Sequence, residues 1–120
     1  MKTPEEYIRQ LKKSPDETEF DELIGIISEY YEYYPCAFSN GCGDETVYNP
    51  AGENEGSCRI FSFAMLHRLD ENQTLNCFGE YYRRDVLQYP EKTDHANIRQ
   101  FVKHGWSGIR FEGTALKPRT

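Results

Sequence analysis

The sequence points to a mostly helical α+β domain, with four to five helices packed against a small antiparallel sheet. Three observations carry that reading. Apolar residues recur at steps of three and four over long stretches, which is the period of a half-buried helix. Residues 36–48, around Asn40-Gly41, and residues 106–113 break that pattern with β-friendly runs, and so predict a hairpin and one further strand. A chain of 120 residues suits one hydrophobic core, so residues 1–120 read as a single domain.

The first helix is expected over residues 3–13. Thr3 can cap it, Pro4 fits the first helical position, and Glu6 completes a capping box. Tyr7, Ile8 and Leu11 form its short apolar stripe. Ser14-Pro-Asp-Glu17 repeats the start signal. Phe20, Leu23, Ile24, Ile27, Tyr30, Tyr31 and Tyr34 then share one helical face, and Pro35 stops the helix at Tyr34. Asn40-Gly41 is a turn signal, and Thr46-Val47-Tyr48 reads as the returning strand of a hairpin over 36–48. Asn49-Pro50-Ala51-Gly52 is another turn.

Asn54 is the expected N-cap of the next helix, which runs through Ile60, Phe61, Phe63, Ala64, Met65 and Leu66 to about Leu69. That segment is apolar nearly all round, so it is expected to be the buried central helix. Asp70 caps the following helix, with Gln73 at the capping-box position and a stripe of Leu75, Phe78, Tyr82 and Val86. Gly79 inside it is costly for a helix. A close approach by another element would explain it. Thr93-Asp94 opens the last helix, in which Ile98, Phe101 and Val102 face inward; Gly105 stops it after His104. Trp106 to Gly113 alternates around Ile109 and Phe111, a strand expected to join the hairpin. The tail 114–120 is expected to be loose.

Nine Tyr and seven Phe predict an aromatic-rich core. The net charge is −6, with 4 basic against 13 acidic residues in 1–57 and 10 basic against 7 acidic in 58–120. Such an acidic first half argues against a nucleic-acid binder with a broad basic face. No apolar run is long enough to span a bilayer and no signal-peptide pattern is present, so no membrane association and a cytoplasmic site of synthesis are expected. The four cysteines then read as reduced thiols. Cys58 and Cys77 look like small core residues, while Cys36 and Cys42 flank a glycine-rich turn without a second Cys/His pair at zinc-site spacing. His67, His95 and His104 lack ligand-like spacing, so neither a metal nor another cofactor is expected.

Chemistry concentrates in Glu53, Asn54, Glu55, Ser57 and Cys58, where a polar run turns into the core helix. A thiol in the first turn of that helix is placed to ionise, and His95, beside Asp94 and Asn97, is the candidate base. The plainer account is a buried, inert cysteine. Asn54, Glu55 and Ser57 could cradle a small polar or anionic ligand, or simply cap the helix. In Glu80-Tyr-Tyr-Arg-Arg-Asp85, Glu80 can pair with Arg84 and Arg83 can reach an anion, against the plainer account of a surface ion-pair ladder. The candidates are therefore Cys58 and His95 for catalysis. For ligand binding they are Asn54, Glu55, Ser57, Glu80, Arg83, Asp94, His95 and Asn97.

Asn54-Glu-Gly-Ser-Cys58, Cys77-Phe-Gly-Glu-Tyr-Tyr-Arg83, Asp94-His95, Asn97-Ile-Arg99, Gly105-Trp106 and Ile109-Arg110-Phe111 together resemble the HopJ (HopPmaJ) family. That family is named for a type III secretion effector of plant-pathogenic bacteria. The resemblance extends from about Phe20 to Leu116. It implies a small bacterial effector, delivered into a host cell, that acts by binding an unidentified protein partner; it supplies no catalytic residues. A monomer is expected. Two alternatives stand beside it: a small-ligand module at the Asn54–Cys58 turn, and a Cys/His-dependent hydrolase or transferase.

Overall fold

A computed structural model describes residues 1–119. Helix α1 (Pro4–Lys13) opens with the capping box of Thr3 and Glu6, and buries Tyr7 and Leu11. The Ser14-Pro15 signal produces only a 3-10 turn, Pro15–Glu17, and α2 follows as Phe20–Tyr30. Leu23, Ile26 and Ile27 are its buried face.

Helix α2 ends four residues before the position expected from Pro35. Tyr31–Tyr33 is instead a strand, β1, paired antiparallel with β5 (Leu116–Pro118), with Tyr31 opposite Pro118 and Tyr33 opposite Leu116. The tail expected to be loose therefore forms a strand over 116–118, and Ala115 and Leu116 are buried; Thr120 lies outside the described residues. The physical reason is competition for hydrogen bonds. Tyr31-Glu-Tyr is β-friendly, and the returning tail offers backbone partners that a last helical turn ending at Pro35 would lack.

A second sheet has the order β3-β2-β4, formed by β2 (Phe38–Asn40), β3 (Val47–Asn49) and β4 (Ile109–Phe111). All its pairs are antiparallel, with Phe38 opposite both Asn49 and Phe111. Hairpin and C-terminal strand thus meet as expected. Phe38 and Asn40 point inward, and Phe38 stacks on Phe111 at 4.7 Å between ring centroids.

Helix α3 (Glu55–Leu66) runs through the core. Its Phe61 touches the rings of Phe38, Phe78, Phe101 and Trp106 at centroid distances of 5.9, 5.4, 5.1 and 6.3 Å. The helix is not buried all round, because Met65 and Leu66 in its last turn are exposed. The expected single helix after Asp70 is two: α4 (Glu71–Asn76), which carries the Asp70–Gln73 capping box, and α5 (Glu80–Arg83). Gly79 divides them at φ 60°, ψ −133°. A β-carbon there would sit 2.9 Å from the backbone nitrogen of Phe20, so the close approach inferred from sequence is the start of α2. Helix α6 (Ala96–His104) buries Ile98 and Phe101, and Gly105 stops it at φ 59°. Val102 is exposed, because one step past Phe101 turns a side chain about 100° around the helix, off the buried stripe. Among the described residues the α-helices number six.

Candidate functional site

Helices α3 and α6 begin at the same place. Their N-cap residues, Asn54 and His95, both adopt the left-handed conformation, at φ 50° and 53°. Asn and His tolerate that region better than most residues, yet it costs energy and is held only where surrounding contacts demand it. Neither side chain caps its helix, so the capping network expected at Asn54 does not form. The two helix starts border a cleft of about 510 Å³, within the usual range of small-molecule sites. Asn54, Gly56 and Ser57 line one side, Ala96, Asn97 and Ile98 another, and Phe20, Phe78, Tyr81 and His95 close it.

Buried amides fix this geometry. Asn40 donates from Nδ2 to the Asn97 carbonyl at 2.8 Å and to Asn97 Oδ1 at 3.0 Å. Asn49 Nδ2 donates to Asn97 Oδ1 at 3.1 Å, and Asn97 Nδ2 returns a bond to Asn49 Oδ1 at 2.8 Å. Asn54 Nδ2 also donates to Asn49 Oδ1, at 2.7 Å. The network ties β2, β3, α3 and α6 together through side chains in a low-dielectric interior, where such bonds rigidify an arrangement; Asn40 Oδ1 is its one buried atom without a partner among the described residues. Its members Asn40, Asn49 and Asn97 are buried. The sequence reading missed Asn40 and Asn49, because Asn40-Gly41 and Asn49-Pro50 satisfy turn chemistry. The signal that could find Asn40 is its spacing of two from Phe38, which places it on the inward face of a strand.

The opposite wall is aromatic. Tyr81 packs edge-on against Phe20 at 5.1 Å and lies at 5.3 Å from the His95 ring. His95 Nε2 contacts Asp85 Oδ2 at 3.0 Å. Arg84 is the main cause, with His95 second, that holds the half-buried Asp85 carboxyl below the usual carboxylate range.

Four predicted ligand-binding residues therefore converge here: Asn54, Ser57, His95 and Asn97. The others do not. Glu55 lies near the Tyr33 hydroxyl, whose ionisation is pushed up chiefly by burial. Asp94 is held by Arg99 Nη2 at 2.7 Å, an ion pair that lowers its carboxyl. Glu80 pairs with Arg83 at 3.6 Å and not with Arg84. Arg83 is occupied: Nη1 donates to the Pro15 carbonyl at 3.0 Å and to the Asn76 side-chain Oδ1 at 3.1 Å, and Nη2 to the Thr18 carbonyl at 2.5 Å. It clamps α5 to the segment before α2, so it is not open to an anion. Arg83→Ala is expected to destabilise the fold by about 2–3 kcal/mol, the scale of losing charge-assisted bonds to buried carbonyls. Urea unfolding followed by circular dichroism checks this.

The catalytic pair does not assemble. Cys58 is 1% exposed and its thiol donates to the Cys36 carbonyl at 3.6 Å, while His95 is engaged with Asp85. Burial pushes the Cys58 thiol up from its ordinary range, the reverse of thiolate activation. Iodoacetamide is therefore expected to modify exposed Cys42 first at pH 7, and to reach Cys58 only as the chain unfolds. Peptide mass mapping over time reads this directly, and rapid native labelling of Cys58 would contradict it.

A second depression, about 460 Å³, is lined by Val86, Leu87, Pro90 and Val102 and gathers none of the candidate catalytic or ligand-binding residues. Among the described residues no cluster of three or more His, Cys, Asp or Glu side chains could hold a metal ion, and no helix is long and apolar enough to cross a membrane.

The fold and cleft define a small α+β domain with a polar–aromatic recess at the start of two helices and no covalent centre assembled beside it. The chain belongs to the HopJ type III effector protein family, whose model matches residues 4–116. A solved crystal structure of a protein of unknown function, VPA0580, is similar to it at 44% identity and a TM-score of 0.91, covering 96% of this chain and 92% of that one. No curated protein matches the chain.

Proposed function

We propose that this HopJ-family protein acts by reversible binding, and that the cleft between Asn54 and His95 is its recognition site. The observation that carries the reading is the convergence of Asn54, Ser57, His95 and Asn97 from two distant segments onto one recess of about 510 Å³. Three features support it. Strained left-handed backbone at both Asn54 and His95 is the kind of cost that functional sites retain. The Asn40–Asn49–Asn97 network holds the recess preformed, which lowers the entropic cost of binding. First-turn N–H groups of α3 and α6 are left without side-chain caps. Catalysis through Cys58 finds no such support, since its thiol is buried and bonded to backbone.

Amide shift mapping of the nitrogen-15-labelled protein against a mixed library of small polar and aromatic fragments tests the reading. Shifts should cluster at Gly56, Ser57, Ala96 and Ile98. Hits confined to other surfaces, or an absence of hits, would overturn it. Family membership also suggests delivery into a host cell. A translocation reporter fused to the full chain should show type III-dependent transfer, and its failure would remove that part of the proposal.

A further inference from the structure

We infer that the cleft takes a small, neutral heteroaromatic ring that carries hydrogen-bonding groups along one edge. This rests on the reading of the cleft as a binding site and adds the chemistry of what enters it. The inference comes from the unlike walls of the recess.

One wall is made of rings. Phe20 lies parallel to Phe78 at 6.4 Å and edge-on to Tyr81 at 5.1 Å, and Tyr81 continues to His95 at 5.3 Å. Phe20 is only half-buried and Tyr81 is 42% exposed, so ring surface remains open to the recess. A β-carbon at Gly56 would come within 2.9 Å of Phe20 Cζ, so the start of α3 packs directly on that ring. Open aromatic faces take planar partners by offset stacking or edge contact, and every heteroaromatic ring has a face to offer.

The facing wall is made of short polar groups. Asn54 uses Nδ2 on Asn49 and, among the described residues, leaves Oδ1 as an unspent acceptor. Ser57 brings a hydroxyl that donates or accepts. Asn97 is locked by its bonds to Asn40 and Asn49, so this side of the recess cannot adapt by rotating. Adjacent acceptor and donor groups match a ring edge that itself carries donor and acceptor side by side. Among the lining residues no Asp, Glu, Lys or Arg is present; His95 and Tyr81 are the titratable side chains. A cation would therefore lose hydration without gaining an opposite charge, and an anion would meet only the first-turn N–H groups of α3 and α6, with no Lys or Arg to pair with it. A plain hydrocarbon ring would leave Asn54 and Ser57 unpaired, which disfavours it as well.

The test is a set of amide-shift titrations on the full chain with four probes: nicotinamide and adenosine as rings with a polar edge, D-glucose as a polar compound without a ring, and inorganic phosphate as an anion. At least one ring probe should shift Gly56, Ser57, Ala96 and Ile98 saturably. Tyr81→Ala should weaken that binding about tenfold, the order expected of a lost stacking partner, while Tyr81→Phe, which keeps the ring, should recover most of that loss. Tyr81 is exposed, so neither substitution disturbs the core. If glucose or phosphate shifts the cleft amides and neither ring probe does, the ring assignment is overturned while the binding cleft stands. If no probe shifts them, both are overturned. Equal ring binding by Tyr81→Ala, or loss of it in Tyr81→Phe, would overturn the stacking role of Tyr81.

Discussion

Gly79→Ala is expected to cost about 3–4 kcal/mol and to leave much of the chain unfolded under mild denaturant. Two independent penalties add. The backbone at φ 60°, ψ −133° lies in a region essentially restricted to glycine, worth about 1–3 kcal/mol for any other residue. The new methyl would also stand 2.9 Å from the Phe20 nitrogen, and that obstacle is backbone, not a side chain that can rotate away. The start of α2 would have to move. Because Phe20 belongs to both that start and the cleft wall, any residual folded protein should show shifted resonances for Tyr81 and His95. Guanidinium unfolding compared with the parent checks the magnitude. A midpoint within about 0.3 M of the parent would show that the junction is not a tight one, since a loss of 3–4 kcal/mol corresponds to a much larger shift at usual m-values.

Asn97→Ala is the second large effect, about 2–3 kcal/mol. Asn97 accepts from Asn40 and Asn49 and donates to Asn49. Its removal leaves Asn49 Nδ2 with only the longer bonds to the Phe38 and Val47 carbonyls, at 3.3 and 3.4 Å, takes one acceptor from Asn40, and opens a small void besides. The backbone bond from Asn40 to the Asn97 carbonyl survives the substitution, which limits the loss. Thermal unfolding measures the cost. Hydrogen exchange should localise it, with faster exchange at Asn40, Asn49 and the first turn of α6, where the network is anchored. Uniform exchange across the whole chain would mean that the amides do not form a local clamp.

Much of the fold was legible because its signals are local. The Thr3 and Asp70 capping boxes lie within three residues of their partners, and each forms. The Asn40-Gly41 turn and the β-friendly runs around it also declare themselves in sequence. Gly79 was legible in a different way. Its presence inside an apolar helical pattern signalled a close neighbour, though the pattern did not reveal that the helix would break there into α4 and α5. What failed was mostly long-range. Tyr31 fits a helical stripe and a strand equally well, and only pairing with the opposite end of the chain decides for the strand.

The candidate site shows the same division. Asn54, Ser57, His95 and Asn97 were singled out for their chemistry at expected helix starts, and the helix starts do meet. Arg83 looked like a surface cation because the carbonyls that hold it, at Pro15, Thr18 and Asn76, carry no mark in sequence. Cys58 was placed correctly in the first turn of α3, but one helical position decides whether a thiol faces a cleft or the core. It faces the core, while its neighbour Ser57 lines the cleft. The buried amides are the largest omission. An asparagine suited to a turn and an asparagine buried in a network look identical until the strands that position it are known.

Recognition at the cleft, and not chemistry at Cys58, is the function proposed for this domain. Soaking crystals of the protein with a mixed library of non-covalent and electrophilic fragments tests it most directly. Electron density for a non-covalent fragment between Tyr81, His95 and Asn54, with Cys58 unmodified, is the expected result. An empty cleft together with a covalent adduct on Cys58 would contradict it.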